Sequence, residues 1–290
     1  VKPSSAPPIA NAFQCGRYQF TLDRPLVMGI LNVTPDSFSD GGRFLARDAA
    51  LRQAEQMLRE QVDLIDLGAE RSRAGGAGWS PGEGAEGVIP LIEALRDCGV
   101  ALSVDTYKPA VMCAALAAGA DLINDIYGFR QPGAVQAVAD ANCGLCVMHM
   151  AGDPRSMQEQ PEYDDVVAEV RDFLARRVAV LEQAGVARTR ISVDPGFGFG
   201  KSVAHNYALL ARLRDLAPLD VPLLAGISRK SMLGAVTGRA VAAERIAASV
   251  AAAVCAAERG AKLLRVHDVA ATVDALKVWQ AVRTAQDLIK

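Results

Sequence analysis

Eight short apolar runs in this chain each end on, or just beside, a side chain that can hydrogen-bond or carry charge. Asn32 follows "LVMGIL" (26–31), Asp66 lies in "LIDL" (64–67), and Asp105 follows "ALSV" (101–104). Asn124 and Asp125 follow "LI" (122–123), His149 follows "LCVM" (145–148), and Asp194 follows "ISV" (191–193). Ser228, Arg229 and Lys230 come after "LLAGI" (223–227), while Arg265 and His267 end "LLRV" (263–266). Strand ends turn polar as they reach water, which accounts for two or three such residues. It does not account for carboxylates or amides closing the third, fourth and sixth runs opposite Lys230, Arg265 and His267. Asp accepts, Lys donates and Asn does both, so the set can satisfy a polar ligand from several sides.

The first run leads into an unusual loop, "NVTPDSFSDGG" (32–42). It strings Thr34, Asp36, Ser37, Ser39 and Asp40 around one aromatic, Phe38, and closes on Gly41 and Gly42. A plain connector needs none of these groups.

The elements that must position these residues follow from the spacing. Between the apolar runs lie stretches of helical period, such as 47–61 and 166–184. Gly99, Gly119, Gly185 and Gly260 stand where helices stop. Continuous apolar strands alternating with helices imply a parallel sheet covered on its faces. Eight such units predict a (β/α)8 TIM barrel, with an open doubly wound sheet as the alternative. In a barrel the polar strand ends converge on the C-terminal rim, where active sites lie. "FQCGRYQFTL" (13–22) predicts a short β-hairpin that plugs the barrel bottom. Residues 1–12, rich in Pro, Ser and Ala, are expected to be a disordered tail, and 13–290 one domain.

The 290 residues are 51% hydrophobic with a net charge of −2, which suits one large core and offers no broad basic surface for nucleic acid or membrane. Ile246 to Ala257 has Ser249 as its only polar residue; it is too short to span a bilayer and is expected to be a core helix, with a subunit interface as the alternative. The six cysteines, "CGLC" at 143–146 included, lack the partners of a zinc site and are expected to be small core hydrophobes in a reduced, cytoplasmic protein. "DPGFGFGKS" (194–202) imitates a phosphate-binding loop, but Pro195 stands where glycine is required and Asp194 already ends the strand. His205 falls on an ordinary polar stretch and is expected at the surface.

Taken in order, "NVTPDSFSDGG", "IDLG", "SVDTYKP", "INDI", "VMHM", "DPGFGFGK", "SRKS" and "RVHD" resemble the dihydropteroate synthases, the sulfonamide-inhibited folate-pathway family, from about Met28 to Asp268. The resemblance implies a transferase, cytoplasmic and homodimeric, that joins (7,8-dihydropterin-6-yl)methyl diphosphate to 4-aminobenzoate with Mg²⁺, releasing pyrophosphate. By motif, Asp105, Asn124, Asp194 and Lys230 would bind the pterin, and Asn32 would hold Mg²⁺ and diphosphate. Arg265 and His267 would take the diphosphate, Arg265 also lining the pterin face, with Arg73 a further cation. Ser72 would stand for the family's substrate-contacting Thr, Met148 and Phe199 would pack at the two substrate pockets, and Ser228 with the "SFS" loop would lie near the aminobenzoate. Asn32, Arg73, Lys230, Arg265 and His267 are then the expected catalytic set.

The residue types suit that chemistry. A pterin edge carries donors beside a carbonyl acceptor, and unpaired buried groups would cost about 1–3 kcal/mol each. Arg and His match a diphosphate, while Mg²⁺ takes hard oxygens and keeps water. Nothing in the sequence offers a covalent nucleophile, and no Cys falls at a strand-end motif, so the expected route is dissociative and SN1-like. The 33–42 loop is then expected to act as a lid: Asp36 or Asp40 near the metal, Phe38 over the aminobenzoate, water kept out. The chain departs from the family in "GAERSRAGG" (68–76), where Ala69, Arg71, Ser72 and Ala74 replace the usual residues. Two rivals share some features: a pterin-dependent methyltransferase barrel, which binds no diphosphate, and a non-catalytic pterin-binding relative.

Overall fold

The computed structural model describes residues 12–32, 43–68, 81–152 and 162–289. Two antiparallel strands, β1 (Ala12–Cys15) and β2 (Tyr18–Thr21), precede a closed parallel barrel. Its strands are β3 (Leu26–Asn32), β4 (Leu64–Gly68), β5 (Ala101–Asp105), β6 (Leu122–Asp125), β7 (Gly144–Met148), β8 (Ile191–Asp194), β9 (Leu223–Ala225) and β10 (Ala261–Val266), with β10 returning to β3. Nine helices lie between and after them among the described residues: α1 (Arg43–Arg59), α2 (Pro81–Leu95), α3 (Pro109–Ala118), α4 (Ala134–Ala139), α5 (Val166–Gln183), α6 (Val203–Ala211), α7 (Ser231–Thr237), α8 (Ile246–Glu258) and α9 (Val269–Ile289). This is the expected TIM barrel with its N-terminal hairpin. The hairpin starts at Ala12, one residue into the stretch assigned to the tail on composition.

Residues two apart on a strand share a face, so each strand sends one set into the barrel and the other against the helices. The outward set (Val27, Leu31, Ile65, Leu67, Leu102, Val104 and their counterparts) packs against the helices in the main core. The inward set begins at the bottom with Leu26, Met28, Leu64, Ala101, Leu122, Cys146, Leu224 and Leu263, and Phe13, Cys15 and Leu22 of the hairpin close it from below. The hairpin is therefore a plug, as expected. Asp121 locks it: the carboxylate accepts from Arg17 Nε at 3.0 Å and from the Leu102 backbone N–H at 3.0 Å.

Helix α5 shows why the periodic stretches fold as they do. Val166, Val170, Leu174, Val178 and Leu181 make one buried stripe, and Asp165 caps the first turn by accepting from the backbone N–H groups of Val167 and Ala168. Two expectations need correction. α8 is a core helix on one side only: Ala252, Ala253, Ala256 and Ala257 are buried, while Ile246, Ala247, Ala251 and Cys255 are exposed. The cysteines divide as well; Cys15, Cys143 and Cys146 are buried, but Cys113 and Cys255 face solvent. The seventh apolar run pairs only from Leu223 to Ala225, because the chain leaves the ladder at Gly226 to turn toward Ser228. Among the described residues no helix is long and apolar enough to cross a membrane.

Strand register brings the polar ends together. Asn32 stands beside Gly68, Gly68 beside Asp105, and Asp105 beside Asn124, while Met148 stands beside Asp194 and Arg265 beside Met28.

Candidate active site

Above the apolar plug, the inward positions become charged. Asp66 on β4 is fully buried and accepts from Ser103 Oγ of β5 at 2.5 Å. Arg265 on β10 crosses the barrel to reach it, with Nε 2.6 Å from Asp66 and Nη2 3.1 Å from Asp105. Burial disfavours the guanidinium charge, yet the two carboxylates together hold Arg265 more firmly protonated than usual.

One layer higher lie Asp105, Asn124 and Asp194, all buried, at the ends of β5, β6 and β8. The Asn124 Oδ1 atom is buried with no hydrogen-bond partner among the described residues. An acceptor left so costs about 1–3 kcal/mol unless a ligand donates to it. Burial raises the Asp194 carboxyl above its usual range, against the pull of Lys230, the Gly196 N–H, Lys201 and Arg265. Lys230 is half-buried and donates to the Phe197 carbonyl, with its ammonium 4.7 Å from the centre of the Phe199 ring. Burial brings its pKa down to about 8, although Asp194 and Asp105 favour the charge.

An apolar wall adjoins these groups. Ile126, Met148 and Met150 form a small buried cluster, with Tyr107, Tyr127 and Phe199 packed against it. On the far side of the barrel, Ser228 Oγ lies 3.0 Å from His267 Nδ1 and also accepts from the His267 backbone N–H. Asn32, at the end of β3, is exposed.

Of the residues expected from sequence, Asp105, Asn124, Met148, Asp194, Phe199, Ser228, Lys230, Arg265, His267 and Asn32 thus gather at one end of the barrel. Phe38, Ser72, Arg73, Asp36 and Asp40 lie outside the described residues, as does the whole 33–42 loop. Three strand-end residues do not join the pocket. His149 packs its ring edge-on to Phe173 of α5, 4.9 Å between centroids, because its parity is opposite to that of inward-facing Met148. Asp125 accepts from the backbone N–H groups of Tyr127 at 2.6 Å and Phe129 at 2.7 Å, and so builds a turn; burial pushes its carboxyl up to about 7. Arg229 is held by Asp268.

Asp66, Ser103 and Lys201 were missed as site residues. Asp66 and Ser103 share inward parity with Leu64 and Ala101, a signal readable in the sequence once the lower layer is known. Lys201 is buried and ties to Gly196, Phe199 and His149, so it cannot act as the lysine of a phosphate loop. His205, expected at the surface, is half-buried and forms a reciprocal cap with Ser202 at the start of α6.

Acceptors at Asp105, Asn124 and Asp194 thus face a cation at Lys230 beside an apolar wall. A flat heterocycle with N–H donors and a carbonyl fits such a set. Arg265, paired with Asp66 and Asp105, and His267, beside Ser228, add nitrogen donors at the same end of the barrel.

A family model described as pterin binding enzyme matches residues 28–267. The chain is 48% identical over 278 residues to the dihydropteroate synthase of Neisseria meningitidis serogroup B, covering 94% of this chain and 98% of that one. Its fold matches the crystal structure of Burkholderia cenocepacia dihydropteroate synthase complexed with 7,8-dihydropteroate, with a TM-score of 0.87, 59% identity, and 96% and 98% of the two chains covered. It also matches Xanthomonas albilineans dihydropteroate synthase with 4-aminobenzoic acid, with a TM-score of 0.88, 53% identity, and 94% and 98% covered.

Proposed function

The chain belongs to the pterin binding enzymes, as a dihydropteroate synthase, and from that premise we propose how its own residues divide the work. The reaction is a transfer: (7,8-dihydropterin-6-yl)methyl diphosphate and 4-aminobenzoate give 7,8-dihydropteroate and pyrophosphate. Asp105, Asn124 and Asp194 accept from the pterin's ring donors, and Lys230 donates to its acceptors. The observation that carries this reading is the buried Asn124 Oδ1, an acceptor with no partner among the described residues beside two buried carboxylates. Met148 and Phe199 pack at the two substrate pockets, and Arg265 lies along the pterin with its charge anchored from below. His267, oriented by Ser228, receives the diphosphate, and Ser228 borders the aminobenzoate. Phe38, Ser72 and Arg73, outside the described residues, keep the roles that family resemblance gives them.

Asn32 presents an amide oxygen at the open rim, a hard donor suited to Mg²⁺. Among the described residues no three His, Cys, Asp or Glu side chains gather into a metal cage, and Asp66 and Asp105 are already engaged by Arg265. Such a donor set suits an ion completed by substrate and water oxygens. When bound, Mg²⁺ would neutralise the diphosphate and make it a better leaving group. The displacement is dissociative. The C–O bond breaks with its electron pair going to pyrophosphate, and the electron-rich dihydropterin spreads the resulting positive charge. The aminobenzoate nitrogen then forms the C–N bond and gives up a proton to pyrophosphate or water.

Pyrophosphate release should require the pterin diphosphate and rise steeply on adding 4-aminobenzoate, with dihydropteroate formed in step. A chain that binds pterin but releases no pyrophosphate with both substrates present would be a non-catalytic relative.

The same reading takes 13–290 as one unit and the protein as a cytoplasmic homodimer. Six unpaired cysteines, two of them exposed, suit a reducing compartment. The exposed side of α8, with Val236 of α7 and Val278 and Val282 of α9, supplies apolar surface for a second copy. Sedimentation should return twice the 30.6 kDa chain mass at micromolar concentration; a monomer there removes the dimer from the account.

A further inference from the structure

We infer that Lys201 and His149 form a clasp that sets the turn from Gly196 to Phe199 and thereby places Asp194, Phe199 and the Lys230 ammonium for the pterin ring; the inference rests on the pterin-pocket assignment above. Lys201 is 4% exposed, and its ammonium lies 2.9 Å from His149 Nδ1, 2.9 Å from the Gly196 carbonyl and 3.0 Å from the Phe199 carbonyl. One group thus spends its three donors on the end of β7 and on both ends of the turn. Burial, helped by the Lys201 charge, pushes the His149 pKa down to about 2, so the ring is neutral. Burial also brings Lys201 down to about 7, against the pull of Asp194, and in its charged form the lysine donates to His149 Nδ1. The two loops touch closely. The His149 backbone N–H donates to the Asp194 carbonyl at 2.9 Å, and a Cβ at Gly196, whose φ is +71°, would strike the His149 carbonyl.

The turn's Phe197 side chain packs in the main core, and three of its other groups meet pocket residues. The Gly196 N–H donates to Asp194 Oδ1 at 2.7 Å, the Phe197 carbonyl accepts from Lys230, and the Phe199 ring lies under the same ammonium. Asn206 ties the middle of the turn by accepting from the Gly198 N–H at 2.7 Å. None of Lys201's hydrogen bonds goes to a pocket-lining side chain, so it is a positioning residue. A displacement of the turn by a fraction of an ångström would shift Asp194 and Lys230 together, and misplacement of about 1 Å can cost on the order of 10²-fold.

The test compares Lys201→Met, Lys201→Arg and His149→Leu with the unmodified chain. The readouts are KM for the pterin diphosphate, kcat, and the thermal midpoint. Lys201→Met should raise that KM roughly tenfold or more, Lys201→Arg should recover part of it, and His149→Leu should fall between. Lys201→Met should also move the acid limb of pterin affinity to higher pH. Among the described residues, the cations facing Asp194 would then be Lys230 and Arg265, with the Gly196 N–H, so its carboxyl would ionise less readily. A lower thermal midpoint with KM within about threefold of the unmodified chain would make Lys201 a mere prop and overturn the clasp. If Lys201→Met does not yield folded protein, His149→Leu decides by the same KM, since it leaves the lysine its two carbonyl partners. Asp194→Ala separates the two layers of the argument. Weakened pterin binding there, beside an unchanged KM in the clasp variants, removes the clasp and keeps the pocket; unchanged binding there removes the pocket assignment itself.

Discussion

Replacing Asp194 by Ala is expected to weaken binding of the pterin substrate by about 2–4 kcal/mol, or roughly 30- to 1000-fold in affinity. The carboxylate is 4% exposed, so the contact it makes with the ring donors is shielded from bulk water. Its loss leaves those donors unpaired in the complex and removes the chief attraction that keeps Lys230 charged in a buried setting. The unliganded fold should respond differently. Burial raises the Asp194 carboxyl pKa, so ionisation costs more in the folded chain than in the unfolded one, and that cost is present at pH above the raised value. Removing the carboxyl relieves it, and stability near neutral pH should hold or increase although the Gly196 N–H loses an acceptor. Titration calorimetry beside urea denaturation reads both quantities. Affinity within about threefold of the unmodified chain would contradict the assignment.

The second large effect is expected at Arg265. Its guanidinium joins Asp66 and Asp105 across the barrel, with side-chain exposures of 19%, 0% and 4% for the three. Arg265→Met leaves two buried carboxylates without that cation and should destabilise the fold by about 3–5 kcal/mol. Arg265→Lys keeps the charge but loses the planar fork, so one ammonium cannot reproduce both contacts or the flat surface beside the pterin. We expect kcat/KM to fall by roughly 10- to 100-fold in Arg265→Lys, measured as initial rates with each substrate varied in turn. An unchanged value would mean that Arg265 serves the barrel and not the reaction.

The barrel is legible because each strand is a short, mostly apolar run, followed by a helix with its own period and often a closing glycine. The pocket was legible where a polar residue ends such a run with inward parity, as Asp105, Asn124 and Asp194 do. It failed where parity decides and the sequence alone does not display it. His149 and Met148 are neighbours, and only the barrel's register sends Met148 inward and His149 toward Phe173. Asp66 was placed at a strand end, but its link to Arg265 joins residues 199 positions apart and is set by barrel closure. Lys201 lies inside "DPGFGFGK", which locally imitates a phosphate loop, and nothing local announces that its partners are two backbone carbonyls and a histidine just past the end of β7. The outer side of α8 was illegible for a different reason: in a run of Ala, Val and Ile no polar stripe marks which side meets the barrel.

The central claim is that the ends of β5, β6 and β8, with Lys230, form one pterin-reading surface. A crystal structure of this chain with a bound pterin tests it most directly. The account predicts the ring edge within hydrogen-bond distance of Asp105, Asn124 Oδ1 and Asp194, with Met148 and Arg265 on its faces and Lys230 donating to the ring. A pterin bound elsewhere in the barrel mouth, with Asn124 Oδ1 still without a donor, would contradict it.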